Sequence, residues 1–128
     1  CINEGSPKDY PTSLAETNKG SITMCSISGS GPTISCSTKE FTSANFATGE
    51  FVDADTFRTN GVRLFGPYGD NVDYDIEPEG GCFTEDGLYE FVVLQDNNAY
   101  AMYDVAAGKY LFMKGFVPEA TTFDPSDK

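Results

Sequence analysis

LYEFVVLQDNNAYAMYDVAAGKYLFMKGF, residues 88–116, is the stretch that decides the fold. It contains three runs rich in β-branched and aromatic residues, and short turn-forming segments separate them. The runs are Leu88–Leu94, Ala99–Asp104 and Lys109–Phe116. Runs of this length, punctuated by Asn, Asp and Gly, are typical of consecutive antiparallel strands joined by tight turns. The sequence therefore predicts a three-stranded meander.

The first run of the meander is apolar on both faces. Alternate residues of a strand point to opposite sides, and here both sets are apolar except for Glu90. This pattern is typical of a strand in the middle of a sheet that is covered on both sides. We therefore expect another element to pack on the meander.

The segment SITMCSISGSGPTISCST, residues 21–38, has two alternating runs around Gly29-Ser30-Gly31-Pro32. This arrangement predicts a β-hairpin. With the turn centred there, Cys25 lies opposite Cys36, close enough for a disulfide. The four cysteines permit three pairings. We favour Cys25–Cys36 and, by elimination, Cys1–Cys82.

After the hairpin, the spacing of apolar residues changes from two to three or four. Phe41, Ala44 and Phe51 recur at helical spacing in STKEFTSANFATGEFVDA, residues 37–54, and Ser37 or Thr38 can cap the start. The pattern predicts one helix, which would cover the second face of the meander. The predicted fold class is α+β, with an N-terminal disulfide hairpin and one helix packed on a central antiparallel sheet.

The rest of the chain fits around this single domain. Residues 1–20 are expected to be an irregular N-terminal arm, 21–118 the α+β domain, and 119–128 a flexible C-terminal tail. Between the helix and the meander, Gly61–Phe65 is predicted as a short strand. Val72–Ile76 alternates apolar and acidic residues, as an edge strand with one wet face does.

Charge and cysteine content limit the function. The 128 residues include 20 acidic, 8 basic and no His, for a net charge of −12. Such a chain repels phosphate backbones and anionic membranes, so we expect neither nucleic-acid nor membrane partners. No apolar run approaches a membrane span, and cysteines without a Cys-x-x-Cys pair favour an oxidising compartment. Because the chain begins with Cys rather than Met, we expect the mature form of a secreted monomer.

An acidic cluster between the helix and the meander suggests a calcium site, because hard cations prefer carboxylate oxygens. Its members are Asp70, Asp73, Asp75, Glu77 and Glu79. Their spacing does not match a helix-loop-helix calcium loop, and alternating acids indicate a solvated strand edge. We therefore expect no metal site and no cofactor.

Glu90 is the residue of greatest chemical interest. A carboxylate in an apolar strand is paired with a cation, lies at an exposed rim, or is functional. Ser and Cys nucleophiles lack a His base here, and the Trp platform common in sugar sites is absent. Because no catalytic set is complete, we expect no catalytic residues.

The order of elements and the triplet Tyr89-Glu90-Phe91 resemble the small secreted guanyl-specific ribonucleases of fungi, over residues 21–118. They also resemble secreted fungal effectors built on that ribonuclease fold without its activity. In the ribonucleases the Glu after the Tyr is the general base, and the resemblance transfers this position to Glu90. The family also requires two His residues, which this chain lacks. The resemblance therefore implies a ribonuclease-like fold that does not cleave RNA.

The leading functional expectation is a non-catalytic secreted binding module, specifically a fungal virulence effector acting on a host protein. The alternative is a secreted hydrolase, either a divergent ribonuclease or a glycosidase, that uses Glu90. Binding residues on small scaffolds usually lie in loops. The candidate binding residues are Phe65, Tyr68, Asp70, Asn71 and Glu90.

Overall fold

The structure is a computed structural model that describes residues 1–5, 19–31, 33–64 and 71–116. Over these residues the chain is mostly β, with two antiparallel sheets and one short helix. The strands and helix are β1 (Ile2–Asn3), β2 (Ser21–Ser28), β3 (Thr33–Glu40), α1 (Ala54–Thr59), β4 (Gly80–Phe83), β5 (Tyr89–Leu94), β6 (Ala99–Asp104) and β7 (Lys109–Gly115). The predicted tail, 119–128, and most of the predicted arm lie outside the described residues.

The first sheet has the order β1-β2-β3 and contains the predicted hairpin. Its register places Ile27 opposite Ile34 and Cys25 opposite Cys36, as the sequence predicted. The disulfide Cys25–Cys36 is present. This hairpin is confirmed because its register depends only on the turn and on the alternation of residues beside it.

The start of the chain differs from the prediction. Ile2–Asn3, expected to be part of an irregular arm, forms β1 and pairs with β2. The predicted bridge Cys1–Cys82 is not formed, and both thiols are free and exposed. Cys1 lies beside β2, where its backbone carbonyl accepts a hydrogen bond from Thr23, whereas Cys82 lies in the second sheet. The elimination argument was wrong because it required every cysteine to be paired.

The second sheet has the order β4-β5-β6-β7, so neighbours in sequence are neighbours in space. Its last three strands are the predicted meander, which is confirmed with bounds that differ by one residue at two ends. Strand β4 adds a fourth strand that the sequence did not predict. A four-stranded antiparallel sheet of this order is also the repeating unit of β-propellers.

The predicted helix over 37–54 is wrong. Residues up to Glu40 continue as strand β3, and the following residues are irregular apart from a 3₁₀ turn at Ser43–Asn45. Pairing along β2 outweighs the local helical spacing, because it satisfies backbone groups over a whole eight-residue strand. The helix lies later, as α1, where Asp53 caps its start by accepting a 2.9 Å hydrogen bond from the Thr56 N–H.

An aromatic cluster fills the space between the two sheets and the helix. Phe41 and Tyr110 stack with ring centroids 4.4 Å apart, and Phe46 lies 5.0 Å from Tyr110. Phe57 from α1 joins the same cluster. Phe41 is therefore buried, as the apolar spacing suggested, although no helix carries it.

A buried asparagine holds the loops beside the cluster. The Asn97 side chain accepts a hydrogen bond from the Glu77 N–H and donates to the carbonyl oxygens of Arg63 and Asp75, at 2.6–2.9 Å. The two strands predicted nearby are not formed. Gly61–Leu64 is irregular, and Val72–Tyr74 is a 3₁₀ turn. These loops take their conformation from Asn97 rather than from a strand partner.

No helix in the described part of the chain is both long and apolar enough to cross a membrane.

Candidate binding site

A recess of about 590 Å³ lies at the β7 edge of the second sheet. This volume is within the range of ligand pockets, which is about 300–1,000 Å³. The recess is formed by β7, the neighbouring strand β6, helix α1 and the segment before it. The lining residues are Gly49, Glu50, Val52, Phe57, Thr59, Asn60, Gly61, Tyr100, Phe112, Met113, Lys114 and Gly115.

Aromatic and aliphatic side chains form the walls of the recess. Val52 and Phe57 belong to the side that packs on the core. Tyr100 and Phe112 belong to the opposite face of the sheet, and their rings meet edge to face with centroids 5.9 Å apart. The recess therefore spans the sheet edge and offers apolar surface from both sides of the sheet.

Polar side chains supply hydrogen-bonding groups to the same recess. Glu50 and Asn60 are exposed, and within the described ranges their side chains have no hydrogen-bond partner. The Lys114 ammonium lies 5.1 Å from the centre of the Phe112 ring, which is cation–π distance. A ligand would find a carboxylate, an amide and an ammonium whose hydrogen-bonding capacity the described residues do not use.

The backbone of β7 contributes a further polar group. Gly115 donates its N–H to the Asn60 carbonyl, away from β6, at 3.2 Å. In an antiparallel strand the N–H and C=O of one residue point to the same side, and alternate residues repeat that side. The N–H and C=O of Met113 therefore also point away from β6, on the side where Met113 lines the recess.

A contact between two glycines shapes one end of the recess. Gly61 has a φ of 85°, and its carbonyl lies where a Cβ on Gly115 would be. Only glycine at 115 lets the segment after α1 approach the strand this closely. The sequence contains both glycines, but it does not show that they meet.

The face of the second sheet that points away from the core is also aromatic. Tyr100 stacks on Phe91 with centroids 5.0 Å apart and lies 5.1 Å from Phe116. Phe116 is 45% exposed. The two-sided apolar pattern of β5 thus reflects one face packed on the core and one face that carries this aromatic row.

Glu90 lies on the core face of β5, opposite Tyr103, and is only 5% exposed. Its Oε2 has no hydrogen-bond partner among the described residues. Burial raises the pKa of the Glu90 carboxyl, and the nearby amino group of Cys1 acts in the opposite direction. Glu90 lines neither this recess nor the smaller one beside the disulfide hairpin.

Only two of the five sequence-predicted binding residues, Asn71 and Glu90, fall within the described part of the chain. Phe65, Tyr68 and Asp70 lie outside the described residues, and neither Asn71 nor Glu90 lines the recess. Asn71 is exposed at the start of a 3₁₀ turn.

Sequence reasoning missed the lining residues Tyr100, Phe112, Glu50 and Lys114. The apolar second face of the meander was a signal for the first two, but we expected a helix to cover it.

Two described members of the acidic cluster have side-chain partners. The Asp73 carboxylate lies 2.6 Å from the Lys19 ammonium. Burial, and then a hydrogen bond with Asp96, raise the pKa of Glu77 to about 7. Within the described ranges no group of carboxylates, cysteines or histidines is arranged to hold a metal ion.

The fold and recess define a small, mostly β domain that carries a disulfide and a ligand-sized site. The family model of the choice-of-anchor I domain matches residues 1–128, and the chain belongs to this family. Choice-of-anchor domains are typically found on secreted or cell-surface proteins, which is consistent with the expected secretion. Searches of curated proteins and of solved structures found no match.

Proposed function

We propose that this chain is a non-catalytic extracellular binding module whose ligand site is the recess at the β7 edge. One observation carries the proposal. The recess combines a ligand-sized volume, aromatic walls and polar groups whose hydrogen-bonding capacity the described residues leave unused. Sites for small ligands have this composition, with mostly apolar walls and a few polar groups that orient the ligand.

The position of Glu90 supports binding over catalysis. A general base must come within hydrogen-bond distance of the proton that it removes. Glu90 is buried against Tyr103 and lines neither recess. The absence of His from the whole sequence removes the commonest partner for acid–base chemistry. These observations make the hydrolase alternative the weaker proposal.

The family and the disulfide support a location outside the cell or at its surface. A fungal origin, a host target and a ribonuclease-like fold stay predictions from the sequence. The family match does not bear on them.

A pair of matched variants tests the proposal. Phe112→Ala removes one wall of the recess, whereas Phe91→Ala removes a similar half-buried ring from the same face outside the recess. Both rings contact Tyr100. We would screen wild-type protein by thermal shift against short peptides and oligosaccharides. We expect at least one ligand to raise the melting temperature of the wild type and Phe91→Ala, but not of Phe112→Ala.

The hydrolase alternative has a separate test. Incubation of the purified protein with RNA and with polysaccharides should leave both intact. Hydrolysis that the Glu90→Gln variant loses would overturn the proposal and establish the hydrolase.

A further inference from the structure

We propose that the recess binds a short extended peptide, which pairs through its backbone with the free edge of β7 at Met113. The inference rests on the proposed binding function and specifies its ligand class. An edge strand presents unpaired N–H and C=O groups that can accept a further strand. Extended peptides bind to many proteins by adding a strand in this way.

The chain itself already uses the two ends of this edge. At one end, the Tyr110 carbonyl accepts a 2.8 Å hydrogen bond from the Ala47 N–H, and Phe46 forms a parallel bridge with Tyr110. At the other end, Gly115 bonds to the Asn60 carbonyl. Between these positions the outward N–H and C=O of Met113 have no partner among the described residues. The edge therefore forms backbone hydrogen bonds with other segments of the chain on both sides of a gap.

The length of the gap limits the ligand. Five residue steps separate Tyr110 from Gly115, which corresponds to about 16 Å of strand. A peptide of about four residues fills that distance in an extended conformation. The segments at Phe46 and Asn60 close its ends, so a longer strand would have to leave the edge.

The walls of the recess and the charge around it indicate which side chains the peptide should carry. On the core side of the sheet edge, Val52 and Phe57 would contact an apolar side chain of the peptide, and on the opposite side Phe112 would contact the aliphatic stem of a neighbouring basic side chain. Glu50 would attract a basic neighbour. Lys114 is the one basic side chain among the lining residues. The net charge of the whole chain, −12, favours cationic ligands at long range. The predicted ligand is a short extended peptide with an aliphatic residue flanked by basic residues.

The test uses the acetylated and amidated tetrapeptide Lys-Val-Lys-Val with the full chain. Without peptide, the Met113 amide should exchange with solvent faster than those of Phe112 and Lys114, which bond to β6. At a peptide concentration ten times the dissociation constant, its exchange should slow about tenfold. Methylation of the backbone nitrogen of the first Val should weaken binding about fivefold, because one backbone hydrogen bond is lost.

Side-chain variants complete the test. Phe112→Ala should abolish the protection of the Met113 amide, and Phe91→Ala should retain it. Glu50→Gln should weaken binding of the lysine peptide about threefold, with less effect on an Ala-Val-Ala-Val control. Equal binding of the methylated peptide, or unchanged exchange at Met113, would overturn the inference.

Failure of the inference is distinguishable from failure of the proposed function. An oligosaccharide that binds in a Phe112-dependent manner, with no peptide bound, would reject the peptide and retain the binding module. Hydrolysis that depends on Glu90 would reject the binding module as well.

Discussion

Different forces stabilise each of the two sheets of this domain. The tip of the first sheet is exposed, with Ile27 and Ile34 at 71% and 63% of their maximal accessibility. In the second sheet, Val92 and Leu94 are fully buried. The tip is held by a disulfide and a strand ladder, whereas the second sheet is held by packing on the aromatic cluster. A strand pair that buries little apolar surface needs a covalent link, and a well-packed sheet does not.

The largest expected effect comes from the close contact that joins β7 to the segment after α1. Gly115→Ala places a Cβ on the Gly61 carbonyl and should destabilise the fold by about 3 kcal/mol or prevent folding. Gly80→Ala in β4 is the control, because its Cβ meets open space. Denaturant unfolding measures both. Equal stability of the two variants would show that the packing of β7 is looser than the structure indicates.

A substitution of the buried Asn97 tests how much its side-chain amide, which holds the loops beside the second sheet, contributes to stability. Asn97→Ala leaves the Glu77 N–H and two carbonyl oxygens without their partner, and it should cost about 3 kcal/mol. Gln95→Ala, an exposed change in the same turn, should cost less than about 0.5 kcal/mol. A loss below 1 kcal/mol for Asn97→Ala would mean that water replaces the amide.

Removal of the disulfide should show most clearly that the two sheets differ in what stabilises them. The double variant Cys25→Ser and Cys36→Ser should lose about 2 kcal/mol. Hydrogen exchange should increase at the tips of β2 and β3, while β5 and β6 keep their protection. A uniform increase across both sheets would contradict the idea that different forces hold them.

The smallest expected effect is a pH dependence of stability that is caused by Glu77. Burial and the hydrogen bond with Asp96 raise the pKa of Glu77 to about 7 from 4.5, and the charge of Glu4, beside β1, adds to the shift. The folded state therefore binds the proton more tightly than the unfolded state. This contribution to stability is full below pH 4.5 and is lost as pH rises to about 7.

Melting temperatures of wild type and Glu77→Gln between pH 4 and 8 test this expectation. The wild type should lose a few degrees relative to the variant across that range. Burial also raises the pKa of Glu90, so Glu90→Gln should reduce the remaining slope. Parallel curves for wild type and Glu77→Gln would show that Glu77 does not titrate near neutral pH.

The elements predicted well from sequence are those with short-range causes. The strands β5 to β7 follow from runs separated by turn residues, and the register of the Cys25–Cys36 hairpin follows from one turn. The helix was misplaced because Phe41 and Phe51 have helical spacing, yet they reach the same core from irregular chain. A hydrophobic spacing shows that residues are buried without showing which backbone conformation buries them.

The candidate site was much less predictable. Tyr100 and Phe112 are in predicted strands, but which face would pack on the core was decided by distant segments. The backbone N–H and C=O of Met113 point to the outer edge because β7 is last in its sheet. Phe46 and Asn60 lie against that edge on either side of Met113. No local pattern reports the order of strands or the approach of Gly61 to Gly115.

The sequence by itself determined the meander, the hairpin register, the Cys25–Cys36 bridge and a charge unsuited to nucleic acid. Only the tertiary structure decided that Cys1 and Cys82 are unpaired, that Glu90 is buried, and that a recess forms at the β7 edge. The physical reason is the range of the forces. Turns and alternation act over a few residues, whereas burial and edge geometry depend on segments far apart in the chain.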